Sequence, residues 1–497
     1  MTLWALISGA LLLLLGLAVI CVLLYCAHIL YIHRKYDHIP GPPRDSFIMG
    51  HSSTLVNQKN NGIVYDVFLD WVLKYGPVVR INGLHKVFVI VTSPDTIKDL
   101  LMSSKHPKDK FYEQIFHLFG VRFLGKGLLT DRDHEHWHKQ RRIMDPAFSR
   151  SYLMELMGTF NEKAEELMER LTELADEKTE ARMHELLNKM TLDVIGKVAF
   201  DMELNCLHDD QTPFPRAILL SMQGMMEMRN PLVKFLPSKK NVIHEVQDAV
   251  RLLRKTGKEC IERRQKMIQD GVEVPNDILT QILRGAVLED DCDIEVMIDN
   301  FVTFFIAGQE TTANQLAFAV QELARNPEIL TKAQAEVDEV IGAKRHIEYE
   351  DLPKLRYLSQ VLKETLRLYP SVPGTTRFIE NDLVVEGVRI PKHTTVMINT
   401  YVTGRMEEFF PDPLTFNPDR FSRDAPKPYF TYFPFSLGPR SCIGQVFAQM
   451  EAKVVMAKLL QRFQFRLVED QTFKILDTGT LRPMEGTRCR LRVREKQ

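Results

Sequence analysis

The stretch "FSLGPRSCIG", from Phe435 to Gly444, sets a single cysteine among an arginine and two glycines. Cys442 stands just before "IGQVFAQMEAKVVMAKLLQRF", whose apolar spacing predicts a helix. A helix N-terminus offers N–H donors and a positive dipole end, which lower the pKa of a cysteine and favour the thiolate that binds metals. Gly438 and Gly444 permit a positive φ or the close approach of backbone to a flat ligand. Arg440 can pair with a carboxylate.

This combination suits a flat ligand with an anionic edge and a metal that accepts one axial sulfur. The stretch therefore predicts a haem site with Cys442 as the metal ligand. A buried structural cysteine beside a turn is the alternative, because single cysteines are commonly buried.

Composition restricts the classes of protein that the chain of 497 residues could belong to. A net charge of −1 argues against nucleic-acid binding, which favours strongly basic surfaces. The cysteines are odd in number and scattered, without a CxxC pair, so we expect neither a disulfide framework nor a zinc site. They are Cys21, Cys26, Cys206, Cys260, Cys292, Cys442 and Cys489.

The N-terminal segment, residues 1–32, is nearly all apolar and carries no formal charge. About 20 such residues cross a bilayer, so the segment predicts a transmembrane signal anchor. The positive residues Arg34 and Lys35 follow it, which places the body of the protein on the cytoplasmic side. A cleaved signal peptide is the alternative, although such peptides have a charged start and a shorter apolar core.

The rest of the chain reads as one domain behind a connector. Residues 33–50 are basic and proline-rich, which predicts a stiff link, and residues 51–497 form the catalytic domain. Within it, "VVRINGLHKVFVIV" (78–91) predicts a hairpin around an Asn-Gly turn. Another β-rich stretch covers 382–402, and most of the intervening sequence has helical periodicity. Helix signals include Pro327 after Asn326 and Gly342 at the end of "NPEILTKAQAEVDEVIG".

Two short patterns point to other chemistry and are set aside. "HEHWH" matches H-E-x-x-H through His134, Glu135 and His138, but no extended zinc signature follows it. "GVRFLGKG" ends in Gly127 where a P-loop needs Ser or Thr for magnesium, so we expect a flexible apolar loop there. No GxGxxG motif occurs elsewhere, and any nicotinamide or flavin would sit on another protein.

The cysteine stretch resembles the F-x-x-G-x-R-x-C-x-G signature of haem-thiolate monooxygenases, the cytochrome P-450 family, at every defining position. The resemblance implies that family's fold, which is mainly α with small β-sheets in a single large catalytic domain. It implies haem b with an axial cysteine thiolate. The residues assigned to the haem are Trp137, Arg141, Arg377, Phe435, Gly438, Arg440, Cys442 and Gly444.

Three further motifs, "AGQET", "KETLR" and "WHKQR", follow the same order as in the family, and "WHKQR" contains Trp137 and Arg141. In "AGQET" the resemblance implies a locally opened helix at which O2 binds, with Glu310 and Thr311 guiding protons. The alternative is a structural role in which Thr311 bonds the Ala307 carbonyl. Glu364 and Arg367 in "KETLR" would join Arg420 in "FNPDRF" to hold the segment beneath the haem, a structural role.

Substrate residues carry a weaker signal. The aromatic-rich loop 111–125 and the methionine-rich stretch 219–228 commonly line an apolar pocket in the family, although such residues could equally form core. The candidates for the pocket are Phe116, Phe119, Phe304, Ala307 and Val372. These suggest a lipophilic small-molecule substrate.

At the scale of the whole chain, blocks such as "HIPGPPR", "WHKQRR" and "DPLTFNPDRF" resemble sterol side-chain hydroxylases of this family. The resemblance implies sterol hydroxylation with O2 and with electrons from NADPH-cytochrome P-450 reductase, on the cytoplasmic side of the endoplasmic reticulum membrane. Lys139 and Arg142 could help to dock the reductase. The alternatives are another lipophilic substrate (fatty acid, steroid or xenobiotic), a haem-thiolate isomerase that needs no external electrons, and a non-enzymatic haem sensor.

Overall fold

The computed structural model describes residues 3–58, 62–230, 232–288, 293–426 and 428–495. Cys292 lies outside these residues. The α-helices are α1 (Leu3–Tyr36), α2 (Ser52–Gln58), α3 (Val64–Tyr75), α4 (Pro94–Met102), α5 (His134–Met144), α6 (Arg150–Glu155), α7 (Met157–Glu173), α8 (Met183–Phe200), α9 (Phe214–Glu227), α10 (Lys240–Gln269), α11 (Ile278–Leu288), α12 (Ile294–Arg325), α13 (Pro327–Val340), α14 (Arg356–Leu368), α15 (Thr400–Thr403) and α16 (Gln445–Arg462).

The strands are short and form small sheets, as the sequence predicts. They are β1 (Val78–Gly83), β2 (Lys86–Val91), β3 (His117–Leu118), β4 (Val121–Arg122), β5 (Ala181–Arg182), β6 (Gly374–Ile379), β7 (Leu383–Val385), β8 (Val388–Ile390), β9 (Thr394–Asn399), β10 (Phe463–Leu467), β11 (Ile475–Asp477), β12 (Leu481–Pro483) and β13 (Arg488–Val493). A four-stranded sheet has the order β1-β2-β9-β6, with only the β2–β9 pair parallel, and a three-stranded sheet has the order β10-β13-β5. The pairs β3-β4, β7-β8 and β11-β12 complete the β structure of the described residues.

The β1–β2 hairpin turns later than its Asn-Gly pair predicts. Asn82 and Gly83 both belong to β1, and the two-residue turn is Leu84–His85, with Leu84 at φ 56°. Asn82 stays in the strand because its buried amide oxygen accepts from Arg80 and its backbone N–H donates to His51. The prediction of a hairpin is confirmed, and its turn position is wrong.

Helix α12 is the central element of the helical core. Its residues from Val296 to Leu323 are nearly all buried, and it runs without interruption through Gly308. A Cβ at Gly308 would lie 2.8 Å from the Ile195 side chain of α8. The glycine therefore lets α8 and α12 pack closely, a benefit that offsets the roughly 1 kcal/mol lost to its helix propensity.

Polar side chains at the start of α12, above all the carboxylate of Asp299, bond the segment before α5, and Asn300 accepts from the Leu128 N–H at 2.7 Å. Asp299 is fully buried and accepts hydrogen bonds from Arg122 at 3.0 and 2.6 Å, from Arg254 at 2.7 Å, and from the Lys126 backbone at 2.8 Å. A Cβ at Gly125 would collide with this carboxylate, and Gly125 has φ 42°. The "GVRFLGKG" segment thus contains the short strand β4 and is bonded to a helix of the core, so the expectation of a flexible apolar loop is wrong.

Helix α1 is long and apolar enough to cross a membrane between Ile7 and Tyr36. Its last turns pack on the body of the protein, where Ile29 is fully buried and the Tyr36 hydroxyl hydrogen-bonds Thr394 at 2.8 Å. The proline-rich connector then runs along β1, since Pro40 accepts from the Arg80 N–H.

Candidate functional site

The cysteine loop is held in place by its own backbone and by α4. The Cys442 N–H donates to the Phe435 carbonyl at 2.9 Å, and the Ser441 N–H donates to the Gly438 carbonyl at 3.0 Å. Gly438 has φ 68°, and a Cβ there would collide with the Leu101 carbonyl oxygen. Only glycine suits this position. Cys442 lies three residues before α16, as the sequence predicts.

A cavity of about 310 Å³ separates the cysteine loop from α12. Helix α12 supplies one wall, and the loop with the first turn of α16 supplies the facing wall. Both walls are largely apolar. The lining includes Lys108, Tyr112, Leu129, Phe148, Ile195, Phe304, Ala307, Gly308, Thr311, Leu366, Ser371, Val372, Thr375, Phe433, Phe435, Arg440, Cys442, Ile443, Gly444, Phe447 and Ala448.

The Cys442 thiol is accessible towards the cavity but otherwise surrounded by protein. Burial raises its pKa, whereas the Gly444 N–H and the positive charges of Arg141 and Lys108 oppose that rise because they stabilise a thiolate. A metal cation facing the sulfur would add the remaining stabilisation, because coordination deprotonates a thiol.

Three cations without a carboxylate partner lie at or near the cavity: Lys108 and Arg440, which line it, and Arg377; Lys108 and Arg377 are buried, and Arg440 is partly buried. Lys108, Arg377 and Arg440 donate to backbone carbonyls at 2.8, 3.0 and 2.8 Å, and Arg377 also to a threonine hydroxyl at 3.1 Å. Within the described ranges, no Asp or Glu forms an ion pair with any of the three. Burial lowers the pKa of each, that of Arg440 to about 10. Buried cations without a counter-charge are unfavourable, so this group of residues fits an anionic ligand such as the haem propionates.

Trp137 and Arg141 lie next to this group on α5. The Trp137 side chain is buried, and the Arg440 guanidinium stacks over its ring at 3.8 Å. Arg141 donates to the Ser441 carbonyl at 2.7 Å and also bonds Asp145 at 2.6 Å. Helix α5 is therefore bonded to the residue next to Cys442.

Glu310 and Thr311 of "AGQET" point in different directions. Thr311 lines the cavity, and its hydroxyl donates to the Ala307 carbonyl at 2.8 Å, the bond of the structural alternative. Glu310 does not line the cavity, because its carboxylate accepts from Thr480 at 2.7 Å and Thr478 at 3.3 Å. Burial raises the pKa of Glu310, and these hydroxyls oppose the rise.

Glu364, Arg367 and Arg420 meet as the sequence predicts. Glu364 and Arg367 are both fully buried and form two hydrogen bonds of 2.7 Å. Arg420 approaches Glu364 at 3.3 Å. Arg367 also donates to the carbonyls of Gly404 and Pro413, so the pair ties α14 to the loop that leads towards the cysteine.

The substrate candidates divide into two groups. Phe304, Ala307 and Val372 line the cavity, whereas Phe116 and Phe119 do not. Phe119 packs into the helical core with its carbonyl bonded to Gln247.

Tyr112 and Lys108, which precede Phe116 in the chain, line the cavity where Phe116 was expected. Tyr112 faces the cavity and hydrogen-bonds Thr375 at 3.3 Å, and Lys108 lies beside it. Sequence reasoning missed Lys108 and Tyr112. The only signal for Lys108 is its place in the charged run "KHPKDK", which usually indicates a solvated surface.

Comparison with known proteins gives consistent matches. A family model described as Cytochrome P450 matches residues 40–488. Cytochrome P450 3A9 of Rattus norvegicus is 28% identical over 95% of this chain and 94% of its own. Carotene epsilon-monooxygenase, chloroplastic, of Arabidopsis thaliana is 32% identical, and the alignment covers 86% of this chain and 81% of that protein. Cytochrome P450 4d2 of Drosophila melanogaster is 29% identical, and the alignment covers 79% of this chain and 81% of that protein.

The family model spans most of the chain and includes the cavity and every residue that surrounds it. Members of this family bind haem b through an axial cysteine thiolate and insert oxygen into organic substrates. The chain belongs to the cytochrome P450 family of haem-thiolate monooxygenases.

Proposed function

We propose that the chain hydroxylates a sterol, and most specifically carbon 24 of the cholesterol side chain. The observation that carries a lipophilic substrate is the largely apolar cavity between Cys442 and the Ala307–Thr311 turn of α12. The sterol assignment is supported by the sequence blocks that resemble cholesterol 24-hydroxylase. The name of the carotene relative indicates that another member of the family acts on a lipid.

Each residue of the site has a role in this proposal. Cys442 would ligate the iron, and Arg440, Arg377, Arg141, Trp137 and Lys108 would hold the propionates. When bound, haem supplies the iron chemistry that activates O2, and the protein supplies binding, orientation and exclusion of water. Phe304, Ala307 and Val372 pack against the substrate, and apolar packing of this kind also excludes water.

Thr311 is the hydroxyl that we assign to proton transfer. It lies on the wall opposite Cys442, and its Oγ1 donates its proton to the Ala307 carbonyl. Its lone pairs are therefore free to accept a proton or a hydrogen bond from the cavity side.

Electrons come, in this proposal, from NADPH through NADPH-cytochrome P450 reductase. We place the catalytic body on the cytoplasmic side of the endoplasmic reticulum membrane, with residues 1–32 as its single-pass anchor. Expression without residues 1–27 leaves Ile29 and Tyr36 to pack on the body. Haem content should then be retained while most membrane sedimentation is lost; sedimentation equal to that of the full chain would contradict the anchor.

The substrate is tested with the purified holoenzyme. Cholesterol, palmitate and testosterone are titrated separately, and the Soret band is followed for the shift that displacement of water from the iron produces. We expect cholesterol to give the tightest response and to yield a side-chain alcohol with reductase and NADPH. Turnover of palmitate or testosterone, but not of cholesterol, would contradict the sterol assignment and leave the monooxygenase intact.

The Cys442 assignment has its own test. The ferrous carbonyl form of the native protein should show the red-shifted Soret maximum of thiolate ligation, and Cys442→Ser should lose it. Cys489→Ser is the matched control, because Cys489 is fully buried in β13 and does not line the cavity. An unchanged spectrum in Cys442→Ser would refute the assignment.

A further inference from the structure

The "HEHWH" pattern, which the haem site leaves mostly unused, forms the start of α5. Its first and last histidines, His134 and His138, are four residues apart and therefore lie on one face of the helix. Both residues are exposed, and their ring centroids lie 6.0 Å apart. In the described part of the chain, neither imidazole is hydrogen-bonded or ion-paired to another residue. The ring nitrogens of two adjoining side chains are thus available to a ligand.

The distance between the two rings suits coordination of one metal ion. A zinc–nitrogen bond of about 2.0–2.1 Å places the ring centroids of two neighbouring imidazole ligands about 4.5–5 Å apart. The rings of His134 and His138 would therefore approach each other by about 1 Å, which small torsional changes achieve in exposed side chains. No movement of the helix backbone is needed.

The chemistry of the pair indicates which ions it would take. Imidazole nitrogen binds borderline transition-metal ions, whereas Mg²⁺ and Ca²⁺ prefer oxygen ligands. Within the described residues, no group of three His, Cys, Asp or Glu side chains could hold a metal ion. The pair would therefore supply two ligands and water the others, which makes the site open and exchangeable, unlike a structural zinc site with four protein ligands.

The surroundings of the pair on α5 also bear on a bound cation. Asp133 and Glu135 place negative charge at the start of the helix, which offsets the positive end of the helix dipole. His136, the middle histidine of the pattern, is already engaged, because its Nδ1 is bonded to Asp131. The candidate ligands are therefore His134 and His138 alone.

Trp137 connects this pair to the haem site. Its ring stacks on that of His134 at 6.0 Å and approaches that of His138 at 6.4 Å. The Arg440 guanidinium lies over the same indole ring at 3.8 Å. An ion bound by both histidines would cross-link the helical turn that carries Trp137 and so restrain this turn.

We propose that His134 and His138 form a binding site for a divalent transition-metal ion, such as Zn²⁺ or Cu²⁺, which is separate from the haem site and stiffens the turn of α5 that carries Trp137. The ion takes no part in oxygen chemistry. The site is independent of the sterol assignment and of the source of electrons.

Isothermal titration of the holoenzyme with Zn²⁺ measures binding of the metal alone. The protein carries no polyhistidine tag, and the ferrous carbonyl spectrum first establishes equal haem content. We expect His134→Gln and His138→Gln each to weaken one Zn²⁺ site at least about tenfold, since even residues that only orient a metal ligand contribute that much. His346→Gln is the matched control, because His346 is exposed and lies outside α5.

A series of metal ions tests the kind of ligand. Cu²⁺ should bind more tightly than Zn²⁺, as it does at nitrogen sites in general. Mg²⁺ should not compete with Zn²⁺, because it prefers oxygen. Competition by Mg²⁺ would show that carboxylates hold the ion and would overturn the assignment to the histidines.

Amide hydrogen exchange locates the site in the native holoenzyme. With free Zn²⁺ at ten times its dissociation constant, the amides of 137–142 should exchange about tenfold more slowly, because the ion must leave before this turn can open. Zn²⁺ should not change their exchange in the double variant His134→Gln/His138→Gln. The Soret maximum should stay in place throughout, because the ion binds apart from the haem iron.

Two results would overturn the proposal. One is native Zn²⁺ affinity in either single histidine variant. The other is protection by Zn²⁺ elsewhere in the chain without protection of 137–142. The second result comes from the native holoenzyme, so it decides the location even if a variant does not fold.

Discussion

The guanidinium of Arg440 stacks on the ring of Trp137 at 3.8 Å and joins the cysteine loop to α5. Arg440 also donates to the Asp131 carbonyl at 2.8 Å, which leaves part of its planar fork for an anion in the cavity. The aromatic contact fixes the plane of that fork before any ligand arrives, and such preorganisation favours bidentate recognition.

Arg440→Leu should weaken haem retention because a charge-assisted hydrogen bond is lost from a buried site. We expect transfer of haem to apomyoglobin to become about ten- to hundredfold faster, followed by absorbance. Arg389→Leu removes an exposed arginine far from the cavity and is the control. Equal transfer rates in the native protein and Arg440→Leu would exclude the propionate role.

Glu364→Ala should destabilise the fold because it leaves Arg367 buried without its partner. Breaking such a pair commonly reduces the free energy of unfolding by about 3–5 kcal/mol. The control is Glu259→Ala, from an exposed i,i+4 pair with Lys255 that contributes at most about 1 kcal/mol. Thermal unfolding followed by circular dichroism compares the two. An equal loss of unfolding free energy in both variants would show that the buried Glu364–Arg367 pair stabilises the fold no more than an exposed pair does.

Thr311→Ala should uncouple oxygen consumption from product formation. Product formed per NADPH should fall by about an order of magnitude, since one positioned hydroxyl is removed from proton transfer. Thr303→Ala is a close control, because Thr303 makes the same bond to the carbonyl four residues back, at 2.7 Å, without lining the cavity. Thr311→Ser should restore most coupling. Full coupling in Thr311→Ala would rule out the assignment.

His184 should make stability depend on pH. Burial lowers its pKa from 6.5 to about 4, while its Nε2 hydrogen-bonds Asn314 of α12 at 2.7 Å. The unfolded chain therefore binds the additional proton between pH 6.5 and 4, and stability falls as the pH is lowered through this window. The loss at pH 5 is about 2 kcal/mol. His184→Gln should show a flatter pH profile of the unfolding midpoint; a profile parallel to the native one would contradict this.

Local sequence predicted those parts of the site that depend on neighbours along the chain. The helix after Cys442 follows from spacing within a few residues, whereas the contact of Glu364 and Arg367 with Arg420 was implied by the family resemblance. The hairpin was also foreseen, but its turn was misplaced because Asn82 is held in β1 by His51, which is distant in sequence.

The remaining parts of the site depend on tertiary contacts. Consecutive helical residues point about 100° apart, so Glu310 and Thr311 do not face the same narrow cavity. The angle between the two side chains can be calculated from the sequence. The threonines that donate hydrogen bonds to Glu310, however, lie about 170 residues later in the chain. Lys108 was missed for a related reason, since only the folded chain surrounds it with protein.

The buried carboxylate of Asp299, which lies outside the cavity, holds several of the elements around it in place. The Asp299 carboxylate bonds Arg122, Arg254 and the Lys126 amide, and so joins the 120–127 segment and α10 to α12. Loss of that anion would leave Arg254 and Arg122 to the exposed carboxylate of Glu295, at 2.6 and 3.8 Å, and would take this buried acceptor from the Lys126 amide. In a random mutagenesis screen, position 299 should therefore tolerate as few replacements as the metal-binding cysteine, although it contacts neither cofactor nor substrate.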